Sequence, residues 1–150
     1  MADPLYFEDL VPGRRFNGGT RALDAEQIKA FGREFDPQPF HTDEQAAAAT
    51  FFKGLAASGW HTTALMMRMV VEGEFRPAGG VIGAGVDELR WPRPVRPGDV
   101  LTVTSEVVES RVSKSRPDQG IVRVRHTTVN QNGETVLEII GNHVVLRRPA

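Results

Sequence analysis

An acid and an imidazole stand five positions apart in Asp36-Pro-Gln-Pro-Phe-His41, a segment stiffened by two prolines. An extended segment of that length spans up to about 17 Å, so a turn is required to bring Asp36 and His41 onto one water. Once they converge, the carboxylate can orient and activate the water while the imidazole passes a proton. That chemistry suits adding water to, or removing it from, an activated substrate. The same two residues also fit plain structural duty, Asp36 as a helix-end or turn residue and His41 as the lead into a cap at Thr42. A second candidate lies in Ala56–Thr62 (AASGWHT), where Ser58 and Gly59 stand near the start of an apolar helix. An exposed helix N-terminus offers unpaired N–H groups and the positive end of the dipole. Gly59 would let a carbonyl approach the backbone, and its amide could hold a developing oxyanion. The competing reading is that these small residues only permit close helix–sheet packing.

The elements that must position these groups fall into two unlike parts, helical over residues 24–73 and strand-like over residues 80–147. Residues 14–22 read as a first strand weakened by Gly18 and Gly19. Asp24 with Gln27 forms a capping-box pattern, opening a helix with Ile28, Phe31 and Phe35 on one face; Gly32 weakens it and Pro37 ends it. Phe35–Glu44 then reads as a stiff, extended loop. Thr42 with Gln45 suggests a second capping box, opening a short helix over Asp43–Ala49. Leu55–Gly73 is apolar on most faces, which predicts a buried helix. Met66, Met67 and Met69 read as core filler. Val81–Trp91 alternates partly, and the prolines of Trp91–Asp99 demand a rigid turn. Val100–Val108 puts Leu101, Val103, Ser105 and Val107 on one face. Ile121–Val129 is joined to Glu134–Leu146 by Asn132-Gly133, a type I′ hairpin signal. A buried helix and four long, hairpin-linked strands predict an α+β class, an antiparallel sheet wrapped around the helix.

Composition bounds the function. The chain has 150 residues, 40% hydrophobic and 25% charged, which suits a single domain over 1–150. It carries no cysteine, so disulfide frameworks, thiolate nucleophiles and Cys-ligated metal sites are excluded. Eighteen Lys plus Arg face nineteen Asp plus Glu, which argues against a nucleic-acid partner. No apolar run approaches the roughly 18 residues of a membrane span. The opening MADPLYFEDLVPG lacks the basic and apolar regions of a secretory signal, so a cytoplasmic location is expected. None of the four histidines has His-x-x-x-His spacing, so no metal is expected. Gly80, Gly83 and Gly85 do not follow the dinucleotide order; they read as a strand pressed near another backbone. No cofactor is called for.

Four stretches carry a family resemblance: YFEDLVPG, FDPQPFHTDEQAA, GLAASGWHT and DELRWPRPVRPGDVL. Together, in this order, they resemble the MaoC-like dehydratases, which include the (R)-specific enoyl-CoA hydratases, with the hot-dog fold. The family hallmark is an Asp and a His separated by four residues, and Asp36 and His41 fill it. The resemblance implies that this pair activates water added syn across a trans-2-enoyl thioester, or reverses that step, with the Gly59 amide binding the thioester carbonyl. It marks Gln38, Phe40, Ser58, Trp60 and Arg93 as substrate-binding, with arginine suited to the phosphates of coenzyme A. Gln38 stands where many relatives have Asn, and Ser58 where many have His. Two other functions remain in play, a hot-dog acyl-CoA thioesterase and a non-catalytic acyl-CoA or lipid-binding module. Thioesterases of this fold usually place an acid on the buried helix, and this helix has none before Glu72. The resemblance also implies a homodimer, or a dimer of dimers, with sites at or near the subunit interface.

Overall fold

The computed structural model describes residues 2–150. Its strands are β1 (Arg15–Ala22), β2 (Ile82–Arg90), β3 (Val100–Val112), β4 (Gln119–Val129) and β5 (Thr135–Leu146), and its helices are α1 (Ala25–Phe35), α2 (Pro39–Thr42), α3 (Glu44–Ala47) and α4 (Gly59–Glu72). The strands form one antiparallel sheet in the order β1-β3-β4-β5-β2. The expected α+β arrangement is present, with α4 packed against β1 and β3. Strand alternation makes the core. Leu101, Val103 and Val107 of β3, Val122 and Val124 of β4, and Leu137, Ile139 and Val145 of β5 turn inward onto Met66, Met69 and Val70 of α4. Period-two burial on β3 and β4 and an apolar stripe on the helix are what such a two-layer core requires.

The start of α1 follows its sequence signal. Asp24 accepts from the Gln27 amide while the Gln27 side chain accepts from the Asp24 N–H. The glycines that weaken β1 as a strand are what its packing needs. The register shifts between Asn17 and Thr20, and a side chain on Gly73 would meet Gly18 Cα at 2.5 Å. The bulge lets the end of α4 come down on the strand.

Several local expectations are corrected. Phe35–Glu44 is not extended: Pro39–Thr42 closes a helical turn, with proline at a position whose N–H needs no partner. The next cap is Asp43, accepting from the Ala46 amide, and not Thr42, whose hydroxyl donates back to Gln38 O. Helix α4 begins at Gly59 and not at Leu55, because Ala56 and Ala57 donate their amides to Phe40 O and Val95 O. Nor is α4 buried all round, since Trp60, Met67 and Val71 are exposed on its outer side. Met67 is therefore not core filler, whereas Met66 and Met69 are. β2 is not hairpin-linked to β3; it crosses to the far edge and pairs with β5. Gly83 and Gly85 of that edge strand face open space, not another backbone. The β4–β5 connection is not a type I′ turn, because only Gly133 has positive φ (74°) where that turn needs two such residues. Asn130 instead accepts from the Asn132 and Glu134 amides, giving a wider loop.

Candidate active site

Asp36 and His41 converge. Asp36 caps the C-terminus of α1, and the turn of α2 swings His41 back beneath it. Gly32 makes this possible, since a side chain there would run into the His41 backbone. The contact is 3.2 Å, from Asp36 Oδ2 to His41 Nε2. On its other side the imidazole meets Ala56 O at 2.6 Å from Nδ1. A carbonyl can only accept, so Nδ1 carries the proton and Nε2 is left to exchange one. His41 is buried and Phe40 stands edge-on to it, with ring centroids 4.5 Å apart.

The carboxylate is held from both ends. Gln38 Nε2 donates to Oδ1 at 2.6 Å, and the Ser58 hydroxyl donates to Oδ2 at 2.8 Å. Burial opposes the charge on Asp36, but those two donors and the imidazole together outweigh it and hold the carboxyl below its ordinary value. Ser58 is also the N-cap of α4, accepting from the Trp60 amide at 3.3 Å. The next residue, Gly59, begins the helix, and its amide finds no acceptor among the described residues.

A cleft of about 420 Å³ opens beside these groups, lined by His41, Gly59, Thr62, Phe51, Phe52 and the Trp91–Val95 segment, with Ala57 and Val136. His41 and Gly59 thus face one cavity from two different elements. Trp91 lies over Gly59, where a side chain would meet its ring at 2.5 Å, and donates from Nε1 to Thr63 Oγ1 at 3.2 Å. Arg93 is on the cleft wall, paired with Glu134 at 3.1 Å. Gln38 and Ser58 reach Asp36. Phe40 packs behind the wall against Phe52, and Trp60 stands outside the cleft, edge-on to Trp91.

Sequence reasoning passed over Phe51, Phe52 and Trp91 as site residues. The Phe-Phe pair in an otherwise alanine-rich stretch was the available signal. Arg96, one of the arginines of the proline-rich Trp91–Asp99 segment, is spent on the backbone: its guanidinium donates to the carbonyls of Phe52, Gly54 and Leu55, fixing the loop that carries the aromatic wall. His61 is buried in the first turn of α4 and stacked on Phe31 at 4.6 Å, which braces α4 against α1; burial lowers its pKa. No group of three or more metal-ligating side chains gathers among the described residues, and no helix there is long and apolar enough to cross a membrane.

A five-stranded antiparallel sheet wrapped on one helix is the hot-dog fold, and the comparisons agree. Residues 9–130 match the MaoC like domain, and the chain belongs to that family. A MaoC-like dehydratase from Rhodospirillum rubrum, of known crystal structure, is 51% identical and superimposes with a TM-score of 0.93, covering 97% of this chain and 99% of that one. The chain is 28% identical to the (R)-specific enoyl-CoA hydratase of the same organism over 133 residues, 89% of this chain and 86% of that protein. It is 30% identical to the uncharacterized protein YdeM of Bacillus subtilis over 134 residues, 89% of this chain and 94% of that one.

Proposed function

We propose that the chain catalyses the reversible syn addition of water to a trans-2-enoyl thioester, giving a 3-hydroxyacyl thioester. The observation that carries this reading is that His41, held 3.2 Å from the Asp36 carboxylate, and Gly59 line one cleft. Water sits on the Asp36–His41 pair. Its oxygen bonds to the β-carbon as the pair takes one of its protons. The π electrons move onto the thioester oxygen, where the Gly59 N–H stabilises the enolate-like charge. The enolate then collapses and the α-carbon takes a proton from the same pair. Delivery of oxygen and proton from one side makes the addition syn. The substrate is an acyl-CoA or related thioester, with Arg93 as the cation for its phosphates. The relative named as an (R)-specific enoyl-CoA hydratase supports the same chemistry.

Thioester cleavage is less well supported. The acid of α4, Glu72, lies at the helix end remote from Gly59 and is paired with Arg68 and Arg21. A passive binding module has no use for a carboxylate and an imidazole 3.2 Å apart beside a cavity. The functional unit is a homodimer of this one-domain chain. Its support is the exposed apolar side chains of Trp60, Met67 and Val71 on α4 and of Ile82 and Val86 on the edge strand β2. Incubation of pure protein with crotonyl-CoA tests the assignment. Loss of enoyl absorbance with 3-hydroxybutyryl-CoA as product is expected. Release of free CoA thiol would assign a thioesterase, and binding without turnover a module. Light scattering of the active sample should give twice the mass of one chain.

A further inference from the structure

Ser58 is fully buried, is not among the residues lining the cleft, and has its one hydroxyl proton already committed. Its proton is given to Asp36 Oδ2 at 2.8 Å, and its lone pair takes the Trp60 amide at 3.3 Å. The oxygen it donates to is the one that faces His41 Nε2 at 3.2 Å, while Gln38 holds the other at 2.6 Å. One small side chain therefore joins the carboxylate at the end of α1 to the first turn of α4, and the residue that follows it is Gly59. Without that hydroxyl, Asp36 keeps only an exposed glutamine and the imidazole as partners.

We propose that Ser58 is a positioning residue for the hydration step: its hydroxyl fixes Asp36 to the start of α4, so that carboxylate, imidazole and Gly59 amide share one frame and His41 is the group that carries the proton. The inference rests on the hydratase reading above and deepens it. A carboxylate that already accepts two hydrogen bonds is a poor proton acceptor, and Asp36 keeps its charge. The water proton therefore passes to His41 Nε2, with Nδ1–H anchored on Ala56 O. The resulting imidazolium rests beside the Asp36 carboxylate until it protonates the α-carbon. From α1, α2 and the first turn of α4, His41 is the one titratable group acting on that carboxylate. Gln38 and Ser58 are neutral, and His61 is stacked on Phe31.

The test compares the parent protein with Ser58→Ala and Ser58→Thr, using crotonyl-CoA over a pH series and a carbon-13 titration of the Asp36 carboxyl. Loss of one hydrogen bond to a charged group predicts a fall in kcat of about ten- to a hundredfold in Ser58→Ala, with KM held within about twofold. The acid limb of kcat/KM and the Asp36 carboxyl titration should both move up, by about one pH unit. Ser58→Thr, which keeps the hydroxyl, should restore both. A rise in KM alone in Ser58→Ala would make Ser58 a substrate contact and overturn the proposal, as would parental kcat with an unmoved carboxyl titration. Absence of hydratase turnover in the parent would sink the reaction and not the tether, because the carboxyl titration needs no turnover and decides the tether alone.

Discussion

Two of the buried histidine centres have opposite characters. His41 lies between an acceptor carbonyl and a carboxylate and opens onto a cleft. His126 and His143 lie inside the sheet, joined to each other at 3.0 Å between their Nε2 atoms and to Ser105 at 2.7 Å from His126 Nδ1, with Phe75 packed on both rings. No carboxylate enters this second centre. Burial there pushes the His126 pKa down to about 3, helped by the charge of His143, and burial pushes His143 down to about 4. Burial alone turns an imidazole into a neutral packing group. An acid partner, a fixed tautomer and an opening to solvent are what the proposed proton carrier needs.

The largest effects should separate the two centres. Asp36→Asn and His41→Ala are each expected to lower turnover of an enoyl thioester by at least about two orders of magnitude. His126→Leu should leave kcat unchanged per folded molecule, as measured by turnover normalised to active sites. Comparable losses at both centres would erase the distinction. Gly59→Ala comes next. The added carbon would meet the Trp91 ring at 2.5 Å, so either the ring or the helix start must move. We expect kcat/KM to fall about tenfold or more, with a shift in tryptophan fluorescence reporting the displaced ring.

The pH dependence of stability sharpens the contrast from the other side. His126 and His143 are neutral in the folded protein down to about 3 and 4, whereas the unfolded chain protonates them near the ordinary 6.5. The unfolded state therefore binds more protons in that window, so stability is full above pH 6.5 and falls as the pH drops toward 4. His61, lowered by its burial, works in the same direction. The carboxyls of Asp36, Asp9 and Glu44 are also lowered, and their loss begins near their ordinary values, at the acid end of that window and below it. Urea denaturation across pH 7 to 4 should show a loss on the order of several kcal/mol, beginning well above the carboxylate range.

How much of this was legible in the sequence depends on how local each signal is. The α1 capping box, the inward face of β3 and the Asp36–His41 spacing were readable, because each depends on neighbours within a few positions. The turn that joins Asp36 to His41 was recognised as a requirement, but its form was not, since α2 depends on Gly32 making room for the His41 backbone. The start of α4 was misplaced because the amides of Ala56 and Ala57 are taken by Phe40 and Val95, remote partners with no local signature. The edge placement of β2 followed from a crossover, not from a hairpin. Ser58 read as a substrate contact until its hydroxyl was seen to reach Asp36 across 22 positions. The second histidine centre joins three strands, and alternation could say only that its members face inward.

The smallest expected effect is the one that most directly tests whether that second centre is packing alone. Ser105, His126 and His143 form a chain of hydrogen bonds that ends on His143 Nδ1, which is buried and has no partner among the described residues. The cheaper proton arrangement leaves a bare lone pair there. His143 then donates from Nε2 to His126 Nε2, and His126 donates from Nδ1 to the Ser105 hydroxyl. Replacing either histidine alone strands its neighbour's ring nitrogen in the core, at a cost of about 1–3 kcal/mol. Replacing both by leucine removes the polar pair together with the orphaned nitrogen. The Ser105 hydroxyl can turn to a strand carbonyl, and Phe75 keeps apolar neighbours. The double variant should therefore lie within about 1 kcal/mol of the parent at pH 7, clearly less than the sum of the singles. It should also lose most of the stability slope between pH 6.5 and 4. Denaturant midpoints of the parent, the two singles and the double, at pH 7 and pH 5, complete the cycle. Additive losses, or a pH slope that survives in the double variant, would show that these histidines hold the sheet by more than their volume.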